Sequence, residues 1–237
     1  MRATRFSAVL AVLAAAPATA GGFGIEAASD LRRRGLGWSD GKPAIEAWAS
    51  VPITGGLSIE AGGATLRGSP RHGGADLLAE AALRYTRQSG NWSVWADAGA
   101  LGFVGAAGQT YAQFRAGTSW GIGPIQIAGL VAWVPPQASI GGSNLYVNAG
   151  AGIGIPATPV TLRATVGRST GTSDGSGRAG RLRPGGDYTD VRVDADYVIG
   201  TLTLGASLTA TSIDADNVGP GNNDLGTRLL VRALFSF

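Results

Sequence analysis

The stretch that decides the fold is Asp190-Val191-Arg192-Val193-Asp194-Ala195-Asp196-Tyr197-Val198-Ile199, followed by a two-residue break and the run from Leu202 to Ser212. One parity carries Val191, Val193, Ala195, Tyr197 and Ile199; the other carries Asp190, Arg192, Asp194 and Asp196. A period of two with an apolar and a charged face is a β-strand, and a two-residue connection returns the chain antiparallel. Working outward, the same alternation appears at 22 to 30, 43 to 51, 57 to 67, 76 to 87, 92 to 104, 110 to 120, 125 to 134, 144 to 155, 160 to 168, 188 to 199, 202 to 212 and 227 to 237. These twelve runs have the ~9 to 11 residues that a tilted strand needs to cross a hydrocarbon core, or slightly more. No helical period is sustained anywhere after Gly22.

Alternation alone does not separate a soluble sandwich from a barrel, because either buries one face. Connection lengths do. The gaps between runs are 12, 5, 8, 4, 5, 4, 9, 4, 19, 2 and 14 residues, every second one short. A membrane meander has tight turns on one side and longer loops on the other, whereas Greek-key crossovers have no reason to keep this order. The even count returns both termini to one side and puts 31 to 42, 68 to 75, 135 to 143, 169 to 187 and 213 to 226 on the other. Proline placement agrees: after the leader, Pro43 opens a run and the other prolines fall in gaps. The expected fold is therefore all-β, a single up-and-down antiparallel transmembrane β-barrel of twelve strands. Phe23, Tyr85, Trp92, Trp120, Tyr197 and Phe235 would girdle the short-turn rim, and Trp133 the opposite one.

The first residues stand apart. Arg2 and Arg5 precede an apolar run from Phe6 to Ala16, then Pro17 and Ala18-Thr19-Ala20, the pattern of a secretory signal peptide over 1 to 20. The barrel then occupies 21 to 237. The 237-residue chain has no Cys and a single His, which excludes a disulfide framework and the usual thiolate or multi-histidine metal centres. No cofactor and no metal is called for. The net charge of +3 rests on 19 Lys+Arg against 16 Asp+Glu; without Arg2 and Arg5 it falls to +1, which implies no nucleic-acid partner.

Ser29-Asp30-Leu31-Arg32-Arg33-Arg34-Gly35 followed by Ser39-Asp40-Gly41-Lys42-Pro43-Ala44 resembles the N-terminal signature of the TorF family of porins. The resemblance implies a leader, an outer-membrane barrel over the whole mature chain and a C-terminal Phe. It names no solute. In the residues themselves, Asp30, Asp40 and Lys42 lie close enough to Arg32, Arg33 and Arg34 for ion pairs that order a loop over the pore mouth. The arginines are expected to alternate across the wall as solvated, locally paired charges; the competing reading has them bind a glycolipid phosphate or an anionic solute.

Taking the polar parity as inward, the lumen holds Glu46, Glu60, Glu80, Asp97, Asp190, Asp194 and Asp196 against Arg84, Arg115, Arg163, Arg192, Arg228 and Arg232. Opposed charges either set up a transverse field or pair and close the bore. Inward Gly62, Ala82, Gly99, Gly150, Gly152, Gly205 and Ser207 favour open volume. The expectation is a narrow, weakly charge-selective diffusion pore for small polar solutes, with 169 to 187 as gate or plug. Its partners are outer-membrane lipid and glycolipid and the barrel-assembly machinery, which Phe237 at the end of an alternating last strand would address.

Two other classes compete: a structural or adhesion barrel with a filled lumen, and a hydrolase. For the latter, His72 with Ser69 and Asp76 lies in a loop that would hold a triad poorly. Gly171-Thr172-Ser173-Asp174-Gly175 matches a nucleophile elbow without its strand-to-helix context. Asp214, Asp216 and Asp224 lack the spacing of a calcium loop. The chain is not expected to be an enzyme.

Overall fold

The structure, a computed structural model, describes residues 21–214, 218 and 225–237, so the leader and two of the three loop aspartates, Asp216 and Asp224, lie outside the described residues. Twelve strands make one closed antiparallel barrel. They are β1 (Gly22–Ala28), β4 (Ala44–Thr54), β5 (Leu57–Ser69), β6 (Ala75–Ser89), β7 (Trp92–Val104), β8 (Tyr111–Ile122), β9 (Ile125–Gln137), β10 (Gly142–Gly154), β11 (Val160–Thr170), β12 (Tyr188–Ile199), β13 (Leu202–Thr211) and β14 (Arg228–Ser236). Each pairs with its chain neighbours, and β1 closes the ring on β14 with Ile25 opposite Phe235 and Ala28 opposite Arg232. Closure leaves no sheet edge. Just beyond β14, Phe237 extends the seam: its amide donates to Phe23 O (2.8 Å), Phe23 N donates back (3.2 Å), and the rings stack at 6.4 Å.

The alternation sorts the side chains as the sequence requires. Leu83, Val94, Val131, Val147, Val193, Leu204 and Val231 stand outward, 43% to 59% exposed. Such a wall running round the barrel has no favourable place in water and suits hydrocarbon. Trp92 stacks on Trp120 (5.8 Å) near the short-turn rim, and Phe114 on Trp133 (5.7 Å) toward the long-loop rim.

Strand ends correct the sequence reading. β4 runs on to Thr54 and β9 to Gln137, so Pro52, Pro135 and Pro136 lie inside strands, not gaps. The ladder accommodates this by irregular register, between Pro52 and Thr54 and between Gly142 and Asn144 opposite β9. The first connection also hides two short strands, β2 (Arg32–Arg33) and β3 (Leu36–Gly37), paired as a hairpin. Arg32, Arg33 and Arg34 therefore do not alternate across the wall, as the sequence suggested; they belong to this hairpin, which turns into the barrel.

The interior has two zones. At the long-loop end Leu31, Leu36, Trp38, Leu66, Phe103, Tyr111, Ile140, Leu182 and Leu225 pack into a buried layer drawn from strands and loops together. Toward the short turns lies a cavity of about 570 Å³, which reaches from Gly56, Gly200 and Phe237 up to the underside of the first-loop hairpin.

Candidate functional site

The hairpin is built by its own motif. Asp30 Oδ1 accepts from Gly41 N (3.2 Å) and lies 2.8 Å from Ser39 Oγ, which in turn accepts from Leu31 N (2.8 Å) and stands 2.7 Å from Lys42 O. Asp30 Oδ2 accepts a hydrogen bond from Arg32 Nε at 2.8 Å. Thus Asp30 and Ser39, one from each Ser-Asp pair of the sequence signature, clamp the ends of one loop, and Asp40 adds an ion pair to Lys42 at 3.2 Å. Between β2 and β3, Arg34 (φ 56°) and Gly35 (φ 73°) form a two-residue turn with both central residues left-handed, the geometry suited to strand twist. A Cβ on Gly35 would stand 2.6 Å from Thr211 Cγ2 and 2.8 Å from Asp190 Cβ, so the hairpin tip presses on the β12–β13 wall where only glycine fits.

Three arginines dock this hairpin. Arg32 also reaches Gly35 O (3.0 Å) and Gly226 O (3.2 Å). Arg33 pairs with Glu46 and with Glu80, two glutamates of the facing wall, while lying over Trp38 at 4.9 Å. Arg34 donates to Asn144 Oδ1 (2.8 Å) and Gln113 Oε1 (3.3 Å), covers Tyr146 at 5.0 Å, and its carbonyl accepts from Tyr188 OH (2.9 Å). These charges are not the solvated, locally satisfied ones that the sequence suggested. Apart from Arg32–Asp30 and Arg32–Gly35, their polar partners lie on other elements, up to 194 residues away along the chain.

The wall charges fall into two faces. Glu60 accepts from Ser50 Oγ (2.8 Å) and Ser58 Oγ (2.6 Å) and lies 4.0 Å from Arg84. Arg84 and Arg115 both clamp Asp97 at 2.8 Å, leaving its side chain wholly buried behind them, and Arg84 also covers Trp95. On the other side Arg192 pairs with Asp194 (2.8 Å), and Arg232 with Asp196 (2.5 Å) and more distantly Asp194 (3.7 Å). Arg163 stands opposite Asp194 in the strand register, and Asp190 accepts from Tyr146 OH at 3.2 Å. Arg228 has inward parity but is exposed at the end of β14, at the rim and outside the lumen proper.

Not every small inward residue leaves space. Gly62, Ala82, Gly99 and Ser207 line the cavity, but Arg232 and Asp196 occupy the place of a side chain at Gly205. Sequence reasoning also missed Glu26, Trp48 and Trp95, all inward and all lining the cavity. Glu26 was within reach, since Gly22, Gly24, Glu26 and Ala28 share one parity of the first run.

Above the hairpin the loops form a lid. His72 is fully buried, 4.3 Å from the Trp38 ring and stacked on Phe103 at 4.7 Å, with Nδ1 3.5 Å from an Arg181 nitrogen. It is firmly held, not loosely as its glycine-flanked loop suggested, yet it faces arginine and aromatic rings; a Ser69-His72-Asp76 relay is not assembled. Burial, with Arg181, Arg71 and Arg33 nearby, holds its imidazole well below the ordinary value. Arg181 is in the 169 to 187 loop, donates to Gln109 O (2.9 Å) and Ser139 O (2.7 Å), and is brought down to about 10 by burial. This loop covers the layer, but the segment that enters the lumen is the first loop. Gly171 to Gly175 leads from β11 into this lid, followed only by a single 3-10 turn at Arg178–Arg181 and no α-helix, so the elbow context is absent.

Fold and site together define a class: a closed twelve-stranded antiparallel barrel with an apolar outer wall and its first extended loop folded into the lumen. Within that class, the chain belongs to the family described as "Bacterial protein of unknown function (Gcw_chp)", whose sequence profile matches residues 13–230. The fold is similar to that of the KdgM porin (TM-score 0.57, 9% identity, over 91% of this chain and 99% of that one). It is also similar to the structure titled "NanC porin structure in rhombohedral crystal form" (TM-score 0.59, 12% identity, 91% and 98%). No curated protein matches the chain. At these identities the likeness speaks for the fold.

Proposed function

We propose that this chain is a channel of the bacterial outer membrane, reached after removal of its leader, through which small polar or charged solutes diffuse. The observation that carries the reading is the cavity of about 570 Å³ inside a lipid-suited barrel, lined by glutamates of four adjacent strands and by arginines that flank them. Near-balance of the two signs supports weak charge selectivity, and the resemblance of Ser39 to Ala44 to the TorF family supports the porin assignment. Assembly through Phe237 and contact of the long loops with outer-leaflet glycolipid belong to the same proposal.

Passage requires the first loop to yield. It is held by side-chain contacts alone between Asp30 and Pro43, and Arg33, Glu46 and Glu80 keep about a fifth of their side-chain surface exposed, so water weakens each pair. A second reading, a filled structural barrel, is favoured by the packed layer above the hairpin. Liposome swelling separates them: liposomes carrying the folded wild-type barrel should swell in a small neutral sugar such as arabinose. Liposomes that do not swell would support the filled barrel.

A further inference from the structure

The hairpin arginines point to a ligand. Glu26, Glu46, Glu60 and Glu80 come from four successive barrel strands, β1, β4, β5 and β6, and all four line the cavity. Glu26 and Glu46 stand directly opposite each other in the register, a like-charge pairing that destabilises a sheet unless a cation relieves it. Arg33 supplies that cation to Glu46 and Glu80. Glu26 is 5% exposed, faces the cavity, and its Oε2 has no hydrogen-bond partner. The acidic face thus exceeds what the chain's own guanidinium satisfies. The wall arginines that flank this face, Arg84, Arg115, Arg192 and Arg232, are already paired with Asp97, Asp194 and Asp196.

We propose that Glu46 and Glu80, with Glu26 beside them, form a binding site for cationic solutes bearing a guanidinium or primary ammonium group, and that Arg33 occupies it as a tethered stand-in. The planar guanidinium satisfies two carboxylates at once, with Trp38 of the same loop covering its face; a free guanidinium meets the same two carboxylates when the hairpin withdraws. Because Arg33 is tethered, it competes at a high effective concentration, so the site is masked in the resting barrel. The solute class deepens the channel reading and rests on it for transport, but binding is measurable without transport.

The test is calorimetric titration of argininamide into detergent-folded protein at low salt, with folding verified by heat-modifiable gel migration. Arg33→Ala should bind at least about ten-fold more tightly than wild type, as removal of a tethered competitor requires. Adding Glu46→Gln and Glu80→Gln should return the affinity to the wild-type level. Arg33→Met, which keeps the apolar stem over Trp38, guards against misfolding of the alanine variant and should behave alike. If neither Arg33 variant binds better than wild type, or if the glutamine changes leave the gain intact, the site is rejected. Binding as expected in a barrel that swells no liposomes would support the site and reject the channel; swelling without any gain in binding would reject the site alone.

Discussion

His72 is the lone imidazole of the chain, and its surroundings set a pH dependence. Packed between Trp38 and Phe103 and facing Arg181, it is kept neutral by burial first and by the neighbouring arginines next. Its folded-state value lies below the ordinary 6.5, so the unfolded chain binds more protons between the two values. This stability is complete above the unfolded value and is lost progressively as pH falls below it. Thermal unfolding of wild type should therefore shift to lower temperature between pH 7.5 and 5 by more than that of His72→Phe, which keeps the stack and removes the titration. Equal shifts would place the acid sensitivity elsewhere. At this scale legibility was uneven. His72 was readable as a loop residue, not as a buried one, because the rings that enclose it come from Trp38 and Phe103, far away in sequence. Gly35 stood in the sequence only as the end of the arginine run, because the contact with Thr211 that forbids a side chain there depends on where the hairpin tip lands.

Among the elements, the strands were legible and the hairpin was not. A strand with one face in lipid and one in the lumen must alternate, so β6, β10 and β12 declare their inward residues directly. Strand ends were less clear because Pro52, Pro135 and Pro136 were taken as stops, while irregular register lets the ladder run past them. Two strands of two residues produce no period. What placed the first loop in the lumen was instead a set of partners, Glu46, Glu80, Gln113 and Asn144, spread over β4, β6, β8 and β10. The same logic of distant pairing governs β7. Asp97 contributes one carboxylate to hold Arg84 from β6 and Arg115 from β8. Asp97→Ala leaves two guanidinium groups facing one another with little solvent. The expected loss is about 3 kcal/mol, at the lower end for a broken buried pair because both arginines keep some exposure. Urea unfolding in detergent should show a lower midpoint, with Asp97→Asn recovering part of the loss through the retained acceptor. An unchanged midpoint for Asp97→Ala would mean that the triad contributes nothing net.

For the molecule as a whole, closure and contents answer different questions. The barrel follows from twelve alternating runs, paired connection lengths and a last strand that returns to Phe23; each was written in the chain. Its contents follow from charge. Among the described wall residues facing inward, carboxylates outnumber arginines, and the arginines of the first loop make up the difference from inside the lumen. On the proposed channel reading, the barrel is a wall whose missing cations sit on a tether, which makes Arg33 the residue on which conduction would turn. The most direct test is single-channel recording in planar bilayers of wild type and Arg33→Ala, at equal protein and salt. Both should conduct, with the variant several-fold more conductive than wild type and more permeable to cations than to anions. Silence from both, or identical conductance and selectivity, would contradict a channel stoppered by its own first loop.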